Sequence, residues 1–119
     1  MTTQAFSDRL FKTAAPVWNA CLAHPFVQGI ADGTLEQEKF RHYMKQDYVY
    51  LVEYCKIFAI GAAKSPDLET MGLFASLLHG TLHIEMDLHR AYAAEFGISN
   101  AELEQTQASA AMTGYTSYM

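Results

Sequence analysis

Apolar residues recur along the chain at spacings of three and four, and no run of alternating apolar and polar residues marks a strand, so the pattern predicts an all-α protein. A first helix is predicted over 6–23. Phe6, Leu10, Ala14, Val17, Cys21 and Leu22 make its apolar stripe, Trp18 widens it, and Pro16 within it predicts a kink. His24-Pro25 ends that helix, and 26–33 reads as a connection, because Asp32-Gly33 is turn chemistry and Gly29 weakens a helix. Thr34 and Gln37 stand at capping-box spacing and predict a long helix over 34–64, about 45 Å at 1.5 Å per residue, with Gly61 as its weak point. Ser65-Pro66 then supplies a cap and a first-turn proline for a second long helix, with Asp67 and Glu69 at its positive end. That helix is expected to run to Phe96 and stop at Gly97. Ser99 and Glu102 form another capping box, opening a short helix to about Gln107. After a small-residue linker over 108–112, Thr113 begins what reads as a further, uncapped helix that is still under way at Met119.

Composition narrows what such a bundle does. With 119 residues, 50% of them hydrophobic and 18% charged, the chain has the makeup of a single packing domain. Eight Lys+Arg against thirteen Asp+Glu leave a net charge of −5, with no basic stripe to neutralise phosphates, so no nucleic-acid partner is expected. No segment approaches the roughly 18 apolar residues of a membrane span, and the N-terminus lacks a signal-peptide pattern, so no membrane partner and a cytoplasmic location are expected. Cys21 and Cys55 lack metal-ligand spacing, sit in apolar patterns, and read as two buried free thiols without a neighbour that would activate them.

The most informative stretch is 46–54. Asp47, Tyr50 and Tyr54 stand three and seven residues apart on one helical face, near Tyr43, Leu51 and Phe58. A carboxylate on a core-facing stripe needs a partner or a ligand, since burying it alone costs several kcal/mol. Spacing leaves two readings open: an Asp-Tyr hydrogen bond inside the bundle, or a pocket wall in which Asp47 reads a polar edge and tyrosines cover a flat ring. On the second long helix His79 and His83 are four apart, as are Glu85 and His89. A regular 3.6-residue repeat puts residues 79, 83 and 86 on one side and Glu85 and His89 elsewhere, and such histidines read by default as surface or interface residues.

Four motifs extend this reading: HPFVQGIADGTL at 24–35, Phe40 with QDYVYL at 46–51, EMDLHR at 85–90, and YTSYM at 115–119. In this order and at these distances they closely resemble the TenA/thiaminase II family across the whole chain. The resemblance implies a multihelical, haem-oxygenase-like bundle without haem, assembled as a homotetramer, with no cofactor and no metal site. It implies hydrolysis of aminopyrimidines, releasing hydroxymethylpyrimidine from aminomethyl-pyrimidine, and cleavage of thiamine. Asp47 would bind the pyrimidine's ring nitrogen and amino group and assist proton transfer, Tyr50 would line the pocket, and Tyr115 would lie against the ring.

Family members are about twice as long, and their nucleophilic cysteine and late glutamate acid/base are expected beyond residue 119. Residues 1–119 therefore read as the N-terminal half of one such helical domain, expected to be inactive alone and to leave apolar helix faces exposed. Two other classes stay open: a haem-oxygenase-like di-metal oxidase, of whose ligand set Glu85 and His89 resemble a part, and a non-catalytic helical association module.

Overall fold

The computed structural model describes residues 5–119, and every regular element among them is helical. The elements are α1 (Phe6–Leu22), α2 (Pro25–Asp32), α3 (Gln37–Lys64), α4 (Leu68–Gly80), a π-helical turn (Thr81–Glu85), α5 (Met86–Glu95), α6 (Asn100–Gln105) and α7 (Ala110–Thr116). They form two compact units, one ending at Gln37 and the other running Glu38–Met119.

In the first unit α1 runs through Pro16, and 26–33 is a helix where the glycine and turn signals predicted a connection. Local chemistry explains α2. His24 caps it by accepting from the Phe26 amide at 3.1 Å, Pro25 occupies the first turn, where its missing N–H costs nothing, and Gly33 ends it in the left-handed conformation at φ 75°. Gly29 serves a close approach: a Cβ there would meet Leu35 at 3.2 Å. Thr34 does not cap α3. Its amide and hydroxyl both donate to the Asp32 carboxylate, at 3.0 and 2.6 Å, which keeps it in the turn and delays the helix to Gln37. The apolar stripe of α1 contributes no buried residue, and Cys21 is exposed rather than buried. An open apolar groove between α1 and α2, lined by Pro16, Val17, Ala20, Cys21, His24 and Val27, carries little polar chemistry.

The second unit holds the core. Met44, Tyr48 and Leu51 of α3 pack with Met86 and Ala93 of α5, Ile98, and Leu103 of α6. Gly61 is a point of close approach rather than a weakness, because a Cβ there would lie 2.6 Å from the Phe74 ring of α4. Ser65 donates its hydroxyl to the Gly61 carbonyl at 2.7 Å, closing α3, so the cap of α4 falls to Asp67, which accepts from the Thr70 amide at 2.7 Å. Pro66 thus precedes the cap. Gly97, at φ 69°, ends α5 as expected, and the Ser99–Glu102 capping box is complete, although α6 stops at Gln105. The last helix starts earlier than its pattern suggested: Ser109 caps α7 by accepting from the Met112 amide, and the helix finishes at Thr116, before Met119.

The second long helix is not one regular helix. Between α4 and α5 the Met86 amide reaches back five residues to the Thr81 carbonyl, the bond of a π turn. One extra residue in a turn rotates everything after it by about 100° relative to a regular helix. Hence Met86, His89 and Ala93 form the buried stripe of α5, while His79 and His83, predicted to share a side with Met86, are exposed with their rings 4.6 Å apart. His89, read from sequence as a surface or interface histidine, is buried.

Candidate active site

Helix α3 presents Asp47, Tyr50 and Tyr54 along one face, as the spacing predicted. The Tyr50 and Tyr54 rings stack at 5.4 Å and 19°, and Phe58 follows 4.4 Å from Tyr54 at 54°, giving a continuous aromatic wall. Tyr115 of α7 meets Tyr50 with ring centroids 5.8 Å apart. The structure therefore brings together all three residues singled out as a site, Asp47, Tyr50 and Tyr115, on two elements distant in sequence.

Tyr115 is held there through the residue next to Asp47. The Gln46 side-chain amide donates to the Gln107 carbonyl at 3.0 Å and accepts from the Ser109 amide at 2.9 Å. Ser109 is also the cap of α7, so a single side chain on α3 fixes the start of the helix that carries Tyr115. Sequence reasoning passed over Gln46, because a glutamine on a helix gives no sign of the backbone it will meet.

The partner of Asp47 is on α5. His89 Nδ1 lies 3.4 Å from Asp47 Oδ2, and His89 Nε2 bonds the Met44 carbonyl at 2.9 Å. The Asp47 side chain keeps 31% of its surface, enough to meet a ligand, against 7% for His89. Burial raises the Asp47 carboxyl above the ordinary carboxylate range; His89 pulls it back down, and the negative charge of Glu85 pushes it up. The negative charge of Glu85, at the end of the π turn, also helps push up Tyr50 and Cys55. Burial is the main reason that the Tyr50 hydroxyl and the Cys55 thiol are both pushed up, and Cys55 is thereby kept in its un-ionised, inert form. His89 Nδ1 thus faces Asp47 of α3, while its Nε2 is taken up by the Met44 carbonyl. Among the described residues no group of three or more His, Cys, Asp or Glu is placed to hold a metal ion.

A half-buried carboxyl set against a wall of flat rings suits a planar heterocycle with a polar edge. The sequence matches the TENA/THI-4/PQQC family over residues 11–119. The chain belongs to that family. It is 54% identical over 115 residues to a protein of Halalkalibacterium halodurans named aminopyrimidine aminohydrolase, covering 97% of this chain and 51% of that one. A Bacillus subtilis protein of the same name is 42% identical over 114 residues, covering 96% and 48%. A crystal structure of a TenA family transcription regulator from Silicibacter sp. TM1040 superposes with a TM-score of 0.85 at 32% identity, covering 93% of this chain and 49% of that one. The chain thus has the all-α, haem-oxygenase-like fold of the TENA/THI-4/PQQC family and spans about half the length of the curated relatives it matches. No described helix is long and apolar enough to cross a membrane.

Proposed function

We propose that the chain serves an enzyme that hydrolyses aminopyrimidines in thiamine salvage, converting aminomethyl-pyrimidine to hydroxymethylpyrimidine and also cleaving thiamine. The observation that carries this reading is the half-buried Asp47 carboxyl beside the Tyr50–Tyr115 pair, in a chain similar over nearly all its length to proteins named aminopyrimidine aminohydrolase. An aminopyrimidine offers along one edge a ring nitrogen and an amino group. Asp47 accepts from the amino group and shares a proton with the ring nitrogen, while Tyr50 lines the pocket and Tyr115 lies against the ring. Two directional bonds to a partly desolvated carboxylate select the heterocycle, and the aromatic wall supplies area without further polar demands.

In this reading water replaces nitrogen on the exocyclic carbon, and the C–N bond breaks with departure of the amine. The nucleophilic cysteine and the glutamate acid/base are those expected beyond residue 119. Cys55, buried with its thiol pushed up, does not serve as a substitute, so residues 1–119 alone bind without turnover. Both units then belong to one helical domain of a cytoplasmic homo-oligomer, a tetramer by resemblance to the family.

The test is calorimetric titration of the chain with aminomethyl-pyrimidine. Asp47→Asn, which keeps the shape but loses the charge, is expected to weaken binding by at least about tenfold, the scale of a hydrogen bond to a charged group. Unchanged affinity in that variant removes Asp47 from the site. Release of hydroxymethylpyrimidine by the 119-residue chain, verified by mass, contradicts the assignment of the nucleophile.

A further inference from the structure

Helix α7 brings Tyr115 to the site without a core to hold it there. It has seven residues, too few to be stable by backbone bonds alone, it buries none of them, and Tyr115 keeps 61% of its surface exposed. With so little packing, the directional contacts at its start decide where it lies against α3. The half-buried Gln46 amide spans that start: its nitrogen donates to the Gln107 carbonyl at 3.0 Å, and its oxygen accepts from the Ser109 amide at 2.9 Å. A carbonyl on one side and an N–H on the other admit a single orientation of the side-chain amide. They also demand a donor and an acceptor on one side chain. A carboxylate would set a second acceptor against the Gln107 carbonyl, and an ammonium would leave the Ser109 amide unpaired. The Ser109 hydroxyl accepts in turn from the Met112 amide at 3.1 Å, so the clamp and the cap of α7 share one residue. Tyr115 follows in that helix and meets Tyr50, one turn along α3 from Gln46, at 5.8 Å.

We propose that Gln46 is a positioning residue for ring recognition: by clamping the chain at residues 107 and 109 it fixes where Tyr115 lies relative to Tyr50, and it acts on the ligand only through Tyr115. This deepens the proposed function and rests on it for the identity of the ligand and the use of Tyr115, but not for the control of Tyr115 by the clamp. Gln46 immediately precedes Asp47. The same turn of α3 thus presents the carboxyl that reads the polar edge and, through α7, places the ring that lies against the heterocycle. Opening the clamp releases Tyr115 and leaves Asp47 where it is, so the loss falls on the ring contact and spares the polar one.

Two measurements test it. In the unmodified chain, saturation with aminomethyl-pyrimidine is expected to slow hydrogen exchange of the Ser109 amide by about threefold or more, because ligand and clamp favour the same placement of α7. An unchanged rate in the bound chain overturns the proposal without any mutation. Gln46→Met keeps the length of the side chain and loses both bonds. In that variant the NMR contacts between the Tyr50 and Tyr115 rings are expected to vanish, while slow exchange at Ala93, in the buried stripe of α5, shows that the core is intact. Ring contacts that persist overturn the proposal; should Ala93 lose its protection, the Ser109 measurement in the unmodified chain decides. By titration calorimetry, Gln46→Met is expected to bind aminomethyl-pyrimidine about fivefold more weakly, the scale of a neutral hydrogen bond. Tyr115→Ala is expected to bind about tenfold more weakly, the scale of one aromatic ring lost from a stacked base. Adding Gln46→Met to Tyr115→Ala is expected to change affinity by less than about twofold, since a residue acting through Tyr115 then has nothing left to position. Fully additive losses, as from a direct ligand contact or a general loosening of the fold, overturn the proposal. If the unmodified chain binds no aminopyrimidine, the proposed function fails, while the ring contacts and the Ser109 exchange rate in Gln46→Met still decide whether Gln46 places Tyr115.

Discussion

Trp18 and Leu22 belong to the most regular apolar stripe of the first unit, yet 57% and 61% of their surfaces are exposed; Ile98 and Leu103, on short and weakly periodic pieces of the second unit, each keep 1%. Periodicity therefore predicts that a segment will be a helix better than it predicts that its stripe will be covered. A helix needs only its own backbone bonds and local caps, such as His24 and Pro25 at α2. A core needs several elements to arrive at the same place, and α3, α5 and α6 do so around Met44, Tyr48, Met86 and Leu103.

That contrast breaks most sharply at Leu103. Leu103→Ala leaves a cavity where α6 meets α3 and α5, and is expected to cost about 2–5 kcal/mol in chemical denaturation. A cost under about 1 kcal/mol would mean that the second unit's core is no better packed than the first unit's surface. A smaller effect is expected at the cap of α6. Glu102 accepts from the Ser99 amide and pairs with Lys45 at 3.3 Å, and these contacts, the amide first, hold its carboxyl below the ordinary glutamate range. A lowered carboxyl contributes stability that is present above the unfolded value, about 4.3, and is lost as pH falls through the folded one. Glu102→Gln, which can keep the capping bond, should flatten this acid limb of thermal stability and leave the neutral-pH fold in place; an unaltered limb assigns the loss to another group. Least of all is expected from Trp18→Ala, within about 0.5 kcal/mol by the same denaturation, since little of that ring is withdrawn from water. A loss of several kcal/mol would show that the stripe of α1 is covered in solution.

The site divides along the same line. Asp47, Tyr50 and Tyr54 share a face because a helix repeats every 3.6 residues, and that much was legible from the letters. Tyr115 was identified only through the resemblance of its motif, since nothing local says that α7 will lie beside α3. The errors have physical causes too. The connection read over 26–33 underweighted a histidine cap and a first-turn proline. Thr34 has two acceptable uses, cap or turn, and Asp32 decides between them. The π turn leaves no composition signal in Thr81–Glu85, so every face assigned beyond it under a regular repeat was rotated, which hid His89 among the surface histidines.

By itself the sequence determined an all-α chain, the extent of α1, the ends of α3 and α5, the cap of α6, a carboxyl set among tyrosines, and motifs of one family. Those properties depend on residues within a few positions of one another, or on a word-like match. Only the tertiary structure decided which stripes are buried, that Gln46 clamps the start of α7, and that His89 is the partner of Asp47. The last two join residues more than forty positions apart, and such contacts depend on helix register and packing, which local spacing does not encode.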